Sequence, residues 1–346
     1  MLQFVRGRNR FGHGGLFDKG RRDRQLIVSR QFSDLMATLF VSQRNFESHV
    51  TPAGHPERPD RIRAIDEALS LDSFPALLRK DALSGDLALI DLVHAPGYLQ
   101  ALAQVRPAEG LVQIDEDTFI SSGSLDAVAT ALGAGLAALE AVALGEAENA
   151  FCAVRPPGHH AERERPMGFC LVNTIAVVAR EAQRKFGAER VAIIDFDVHH
   201  GNGTQDIFRD DPTVFYGSTH QMPLFPGTGA LGETGVGNIF NAPLPSRSGK
   251  DEMREAYESR VLPALEAFRP DFLLISAGFD ADYRDPLAQL NWRPDDFAWV
   301  TGRLIDVAQR RCGGRIVSML EGGYDRQGLA TGVAAHVTTL MGRTSG

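Results

Sequence analysis

The stretch VAIIDFDVHHGNGTQ, Val191 to Gln205, decides the fold. It opens as a short run of apolar, β-favouring residues, the pattern of a strand buried on both faces of a parallel sheet. Such a run should end in a turn. This one ends on Asp195, Asp197, His199 and His200. In an open α/β sheet, ligands bind beyond the carboxyl ends of the strands. Charge and imidazole at that place therefore point to a site.

The sequence on either side repeats the alternation. ATLFVS (37–42), AFCAV (150–154), RVAIIDF (190–196), PTVFYGS (212–218), DFLLISA (271–277) and RIVSMLE (315–321) read as strands. Between them, 59–70, 124–144, 170–186, 249–268 and 294–312 have helical spacing of apolar residues, and a last helix follows Asp325. Short apolar strands alternating with amphipathic helices predict an α/β fold in three layers, a mostly parallel sheet covered on both faces. No internal repeat or linker follows residue 40, so 36–346 reads as one domain.

Composition narrows the function. The chain has 346 residues, 43% hydrophobic and 23% charged, which is ordinary for a globular protein with a substantial core. A net charge of −8 argues against nucleic acid as the main partner. No uninterrupted apolar run reaches the roughly 18 residues that span a bilayer, so no membrane role is expected. No signal-peptide pattern is present, and Cys152, Cys170 and Cys312 have no CxxC spacing, so a reducing, cytoplasmic setting is expected. Residues 1–35 hold eight basic and three acidic residues, a net +5, leaving −13 for the rest of the chain. This basic leader reads as a disordered tail. Nothing in the sequence specifies an oligomeric state.

Four predicted strand ends carry reactive groups. After AFCAV comes Arg155-Pro-Pro-Gly-His159-His160; after VAIID come Asp197 and His199; after FLLISAGF comes Asp280; after IVSMLE come two glycines and Tyr324. Asp197 and His199 have i,i+2 spacing, which in extended chain puts both side chains on one face. With Asp280 they make one imidazole and two carboxylates, a set that suits a divalent metal with open positions. The plainer alternative is a satisfied Asp–His pair or a turn cap. His159 and His160 are acid/base candidates beside such a metal, with Asp195 and Asn202 available to fix their tautomers. The Tyr324 hydroxyl could donate to a developing oxyanion. Gly227, Gly229 and Gly232 fit GxGxxG, but they follow Pro226 rather than a strand and lead into no helix, so dinucleotide binding is rejected.

HPERPDR (55–61), RPPGHHA (155–161), GFCLVN (168–173), DFDVHHGNGTQDIF (195–208), FPGTG (225–229), SAGFDADYRDPL (276–287) and EGGYD (321–325) occur in this order. Together they resemble the histone deacetylase superfamily, in the style of class II and bacterial deacetylase-like amidohydrolases, over nearly the whole chain from Met36. The resemblance implies an arginase/deacetylase-type α/β/α fold and zinc-dependent hydrolysis of acylated amines. It implies one zinc ion (Zn2+) per chain on Asp197, His199 and Asp280. His160 resembles the general base and acid, and His159 its electrostatic partner held by Asp195. Tyr324 resembles the oxyanion donor. Gly168, Phe169 and Phe225 resemble the walls of an acyl-lysine tunnel, and Asp117 the residue that binds the substrate backbone. A potassium ion (K+) is implied near Asp195, around Asp197, His199, Ser218 and Thr219. His200 is expected to pack structurally.

Two other functions compete. A dimanganese ureohydrolase of the same fold needs a carboxylate two residues after the ligand histidine, where this chain has Gly201, although Asp282 leans the other way. A non-catalytic acyl-lysine-binding protein would be expected to lack Tyr324 or a metal ligand. Within the deacetylase reading, acetylpolyamine amidohydrolases resemble one another in an acidic gatekeeper at the position of Leu287. Leucine there favours acyl-lysine side chains, while Asp282 and the cluster Asp115–Asp117 could supply rim charge for a polyamine.

Overall fold

A computed structural model describes residues 37–342. The basic leader, 1–35, lies outside the described residues. The strands are β1 (Leu39–Ser42), β2 (Leu78–Asp81), β3 (Leu111–Gln113), β4 (Phe119–Ser121), β5 (Asn149–Ala153), β6 (Val191–Asp195), β7 (Val214–Gln221), β8 (Ile239–Leu244), β9 (Phe272–Ala277) and β10 (Ile316–Leu320). The helices are α1 (Asp60–Ala68), α2 (Tyr98–Val105), α3 (Ser124–Ala143), α4 (Thr174–Phe186), α5 (Asn202–Phe208), α6 (Lys250–Ala256), α7 (Leu262–Phe268), α8 (Pro294–Cys312) and α9 (Arg326–Leu340).

Eight strands form one sheet in the order β2-β1-β5-β10-β9-β6-β7-β8, and β3 and β4 pair as a separate antiparallel hairpin. Every pairing in the large sheet is parallel. Helices α3 and α4 pack on one face; α8 and α9 cover the other with α1 and α7. This is the three-layer α/β/α arrangement. The central strands β5, β6, β9 and β10 are buried at every residue, which is why they read as unbroken apolar runs. Truncating one of their leucines, Leu274 for example, would cost about 2–5 kcal/mol.

The polarity of α3 needs care. Its 20 residues are apolar enough for a membrane helix by length and composition. In the fold it is a core helix: Ala131, Leu132, Ala134 and Ala138 are buried, and it packs on β1, β5, β10 and α4.

Several elements differ from the sequence reading. The helix expected over 170–186 starts at Thr174, because the Asn173 side chain caps it by accepting from Ala176 N (3.1 Å). The helix expected over 249–268 is two helices joined by a π turn, Tyr257–Val261. Pro263 has no N–H for the ladder, and the wider turn accommodates it. The strand expected to end at Ser218 runs on to Gln221, carrying buried His220. Edge strands β2 and β8 were not expected. All four side chains of β2 are exposed, and β8 contains Pro243, which an edge tolerates.

Candidate active site

The four central strands β5, β10, β9 and β6 are neighbours. Their carboxyl ends bring the loop 155–160, residues 321–324, Asp280 and the segment 195–200 to one place. Residues more than a hundred positions apart thus meet through sheet order alone.

Asp197, His199 and Asp280 converge, with one donor atom of each within 4.8 Å of the others, and all are buried. His199 Nδ1 lies 3.1 Å from Asp197 Oδ1 and 3.2 Å from Asp280 Oδ2. An ion with tetrahedral bonds of about 2.0–2.2 Å spaces its ligands by roughly 3.4 Å, so the donor set fits one divalent metal. The spacing arises differently from the extended-chain argument. β6 ends at Asp195, and 197–199 is a bend closed by His199 N donating to Asp197 Oδ1 (2.9 Å). The remaining carboxylate oxygens are held by backbone: Gly322 N donates to Asp197 Oδ2 (2.7 Å) and Val198 N to Asp280 Oδ1 (2.9 Å). Burial, then Asp197, pushes the Asp280 carboxyl up to about 7. Burial opposes charge on His199, yet the two aspartates hold it protonated to about 10. The two carboxylates therefore favour positive charge at this place, whether a proton on His199 or a bound metal.

The histidine pair divides its roles. His159 Nδ1 lies 3.0 Å from Asp195 Oδ2, and Asp195 also accepts from the Tyr216 hydroxyl (3.0 Å) and from Asp197 N (3.1 Å). Burial alone would lower His159; Asp195, Asp197 and Glu321 outweigh it and bring it to about 10. His160 Nδ1 lies 2.8 Å from Asn202 Oδ1. Asn202 Nδ2 donates to Glu162 Oε1 (2.7 Å), which fixes the amide so that its oxygen faces His160. His160 then carries its proton on Nδ1 and leaves Nε2 free. Burial, then the charges on His159 and His199, pushes His160 well below the usual imidazole range. Two groups driven apart in this way suit a cationic stabiliser and a neutral base.

A cavity of about 220 Å³ opens onto these groups. Asp117, His160, Gly168, Phe169, His199, Phe225, Leu287 and Tyr324 line it, together with Leu224, which the sequence had not singled out. Gly168 has φ 56°, and a Cβ there would lie 2.6 Å from His160 Cδ2. Phe169 is left-handed too (φ 67°), a strained conformation for a side chain, and its N–H donates to Thr118 Oγ1 (3.0 Å). Burial pushes the Tyr324 hydroxyl well above its ordinary pKa, so it stays a donor. A larger polar groove of about 720 Å³ lies on the other side of Tyr324, beside α1 and α9. The reactive side chains face the smaller cavity.

Several supporting residues escaped the sequence reading. Buried Arg61 donates to the carbonyls of Gly323 (2.7 Å) and Glu321 and lies 4.9 Å over the Tyr324 ring. Arg155 and Glu57, both buried, form a two-pronged ion pair (2.8 and 2.7 Å) beneath the histidine loop. Asp285 accepts from the N–H groups of Tyr324 (2.7 Å), Asp325 (3.2 Å) and Leu287 (3.0 Å). Glu321 accepts from Gly158 N (2.7 Å) and His159 N (3.1 Å). All of them lie within HPERPDR, RPPGHHA, SAGFDADYRDPL and EGGYD, but nothing in those motifs singles them out from their charged neighbours.

The competing features resolve in space. A Cβ on Gly201 would collide with Asp195 Oδ2 and lie 2.6 Å from the Tyr216 hydroxyl, so no bridging carboxylate fits there. Asp282 is buried in a two-pronged pair with Arg284 (2.7 and 2.8 Å), neither a ligand nor a rim charge. His200 is buried between Thr228 Oγ1 (2.8 Å) and Gln205 Oε1 (3.1 Å).

Residues 55–340 match the family described as histone deacetylase domain. The chain is 39% identical over 312 residues to "Histone deacetylase 10, chloroplastic" of Oryza sativa subsp. japonica, covering 84% of this chain and 70% of that protein. It is 40% identical over 279 residues to "Histone deacetylase-like amidohydrolase" of Pseudomonas aeruginosa, covering 79% and 73% respectively. The crystal structure of the HDA15 HD domain superposes with a TM-score of 0.83 at 35% identity, covering 90% of each chain.

Proposed function

The chain belongs to the histone deacetylase family, and from that premise we propose that it is a zinc-dependent amidohydrolase that removes acetyl groups from acyl-lysine side chains or related acylated amines. The carrying observation is the meeting of His199, His160 and Tyr324 in one cavity of about 220 Å³ with apolar walls. Zinc, when bound by Asp197, His199 and Asp280, supplies Lewis-acid polarisation of the amide and lowers the pKa of water. Phe169 and Phe225 hold the acyl-bearing stem and exclude water. Asp117 binds the substrate backbone at the mouth. Free Nε2 of His160 takes the proton of the attacking water and returns it to the leaving amine. His159, charged and tied to Asp195, stabilises negative charge as it develops. The Tyr324 O–H donates to the amide oxygen as it becomes an oxyanion.

Leu287 at the cavity wall packs on an aliphatic stem and offers no carboxylate to a second ammonium, and Asp282 is neutralised by Arg284. Both features support acyl-lysine over acetylated polyamines. The same reading includes a potassium ion beside Asp195 and Ser218, supported by their pairing in register across β6 and β7. It also places the enzyme in a reducing, cytoplasmic setting, supported by three buried free cysteines. The test is kcat/KM for an acetyl-lysine peptide and for an acetylated spermidine, with metal analysis of the same preparation. We expect stoichiometric zinc and a preference for the peptide. A tenfold preference for the polyamine, about 1.4 kcal/mol in transition-state binding, would overturn the substrate assignment. Amide hydrolysis that survives complete metal removal would overturn the chemistry.

A further inference from the structure

Glu321 is a fully buried carboxylate that the reaction as described does not use. Burying a charge is costly unless hydrogen bonds compensate it. Here hydrogen bonds offset only part of that cost, since burial still pushes the Glu321 carboxyl up to about 7, and the donors come from two other strand ends. Oε2 accepts from Gly158 N (2.7 Å) and His159 N (3.1 Å), in the loop after β5. Oε1 accepts from the Ser276 hydroxyl (3.0 Å) on β9. Ser276 is the register partner of Asp195 on β6, and Ser276 O accepts from Phe196 N (3.2 Å). The opposite edge of the histidine turn is also tied, with Thr204 N donating to His159 O (3.1 Å) and Ala161 N to Gly158 O (3.0 Å). Glu321 thus supplies the acceptor for two successive amides of a turn whose Gly158 and His159 carbonyls other hydrogen bonds fix.

We propose that Glu321 is a positioning residue for the catalytic histidines, clamping the backbone amides of Gly158 and His159 at the start of the turn that carries both imidazoles. The proposal rests on the reading of His159 and His160 as the acid/base pair. Its physical content is orientational. A peptide held on one side only can rock, and rocking moves the two rings relative to Asp195, Asn202 and the cavity. Displacement of reacting groups by about 1 Å can cost on the order of 10²-fold in rate without changing the groups themselves. Glu321 also sits one residue before Gly322, whose N–H donates to Asp197 Oδ2 (2.7 Å), so one turn sets both the histidine loop and a metal ligand.

The experiment compares Glu321→Gln, Glu321→Leu and Ser276→Ala in the full-length zinc-loaded protein. Gln can keep its oxygen toward the two amides and turn its NH₂ to the serine oxygen; Leu fills the space with no acceptor. Glu321→Gln should stay within about threefold of wild-type kcat, and Glu321→Leu should lose roughly 10²-fold at unchanged KM and zinc content. A Glu321→Leu kcat close to wild type, measured well below its melting temperature, overturns the proposal, as does a loss explained by missing zinc. If Glu321→Leu does not fold, Ser276→Ala decides. It loosens the carboxylate without emptying the site, so an unchanged kcat there overturns the idea. A second readout needs no activity: the far-downfield Nδ1 proton of His159, hydrogen-bonded to Asp195, followed by NMR. It should persist in Glu321→Gln and shift or broaden in Glu321→Leu. Should the wild type hydrolyse no acylated amine, the functional reading falls, and an unmoved resonance in Glu321→Leu would still overturn the clamp.

Discussion

Replacing Tyr324 by phenylalanine separates chemistry from architecture at this site. Three contacts hold Tyr324, and none involves its hydroxyl. Its backbone N–H donates to Asp285 Oδ2 (2.7 Å), the Arg61 guanidinium lies 4.9 Å over its ring, and Phe169 meets it edge-on at 5.6 Å. Among the described residues no hydrogen bond reaches the hydroxyl in the resting protein. Phenylalanine keeps all three contacts, so the stability change should stay within about 0.5 kcal/mol, the scale of a neutral substitution. The catalytic cost is of a different order. Losing one oxyanion donor costs roughly 10²–10³ in kcat, or about 2.7–4 kcal/mol of transition-state stabilisation. Because the bond forms only as charge develops, kcat and kcat/KM should fall together while KM holds. The assay is steady-state hydrolysis of an acetyl-lysine peptide, with zinc content and melting temperature measured on the same sample. A near-normal kcat would reduce Tyr324 to a wall residue. A fall in kcat accompanied by lost zinc or a large melting shift would refute the separation argued here.

Asp280→Ala should lose most of its zinc, because two ligands remain where catalytic zinc usually has three from the protein; stoichiometric zinc in that variant would sink the assignment. Gly201→Ala should displace Asp195 and His159, since its Cβ would stand 3.1 Å from His159 Nδ1 and closer still to Asp195; an overpacking cost of about 1–3 kcal/mol and a large loss of kcat are expected, and wild-type kcat would show that the site relaxes freely. Burial raises the Glu57 carboxyl, but Arg155, His49 and Arg61 outweigh it and bring it from 4.5 down to about 2. A depressed carboxyl stabilises the fold above its unfolded pKa and loses that contribution as pH falls through the folded value, here between about 4.5 and 2, on the order of 3 kcal/mol. The melting-temperature gap between wild type and Glu57→Gln should therefore narrow over that window, and a constant gap would count against the network.

The parts of the fold that were legible in the sequence are those where burial is two-sided. β5, β6, β9 and β10 are apolar because helices cover both faces, and their ends located the site. β2, with Leu78, Arg79, Lys80 and Asp81 all exposed, has no such constraint and left no pattern. The candidate metal cluster and the histidines were visible because metal and proton chemistry draw on few residue types. Glu321, Asp285, Arg61 and Arg155 were not, for a physical reason. Their partners include backbone amides and carbonyls, which every residue carries, so nothing in the partner sequence marks the contact.

The pairs Asp197/His199 and Asp280/Asp282 show where spacing arguments stop. Both have i,i+2 spacing after an apolar strand, and strand alternation would send each pair to one face. In neither case does the strand extend that far: β6 ends at Asp195 and β9 at Ala277. Local hydrogen bonds decide instead. Asp197 Oδ1 accepts from His199 N at 2.9 Å and folds the histidine back beside it, so the pair converges. Asp282 Oδ1 accepts from Arg284 N at 3.0 Å and takes the Arg284 guanidinium at 2.7 Å, which binds Asp282 to its own turn and away from Asp280. The same short-range device, an aspartate accepting from the backbone two residues on, builds a ligand in one loop and removes one from the other. Gly322 completes the selection. A Cβ there would collide with the carboxylates of both Asp280 and Asp197, so the space between the two loops admits their oxygens and no further side chain. The packing suits a single metal: Gly201 and Gly322 leave no room for another carboxylate, and Asp282 is committed to Arg284.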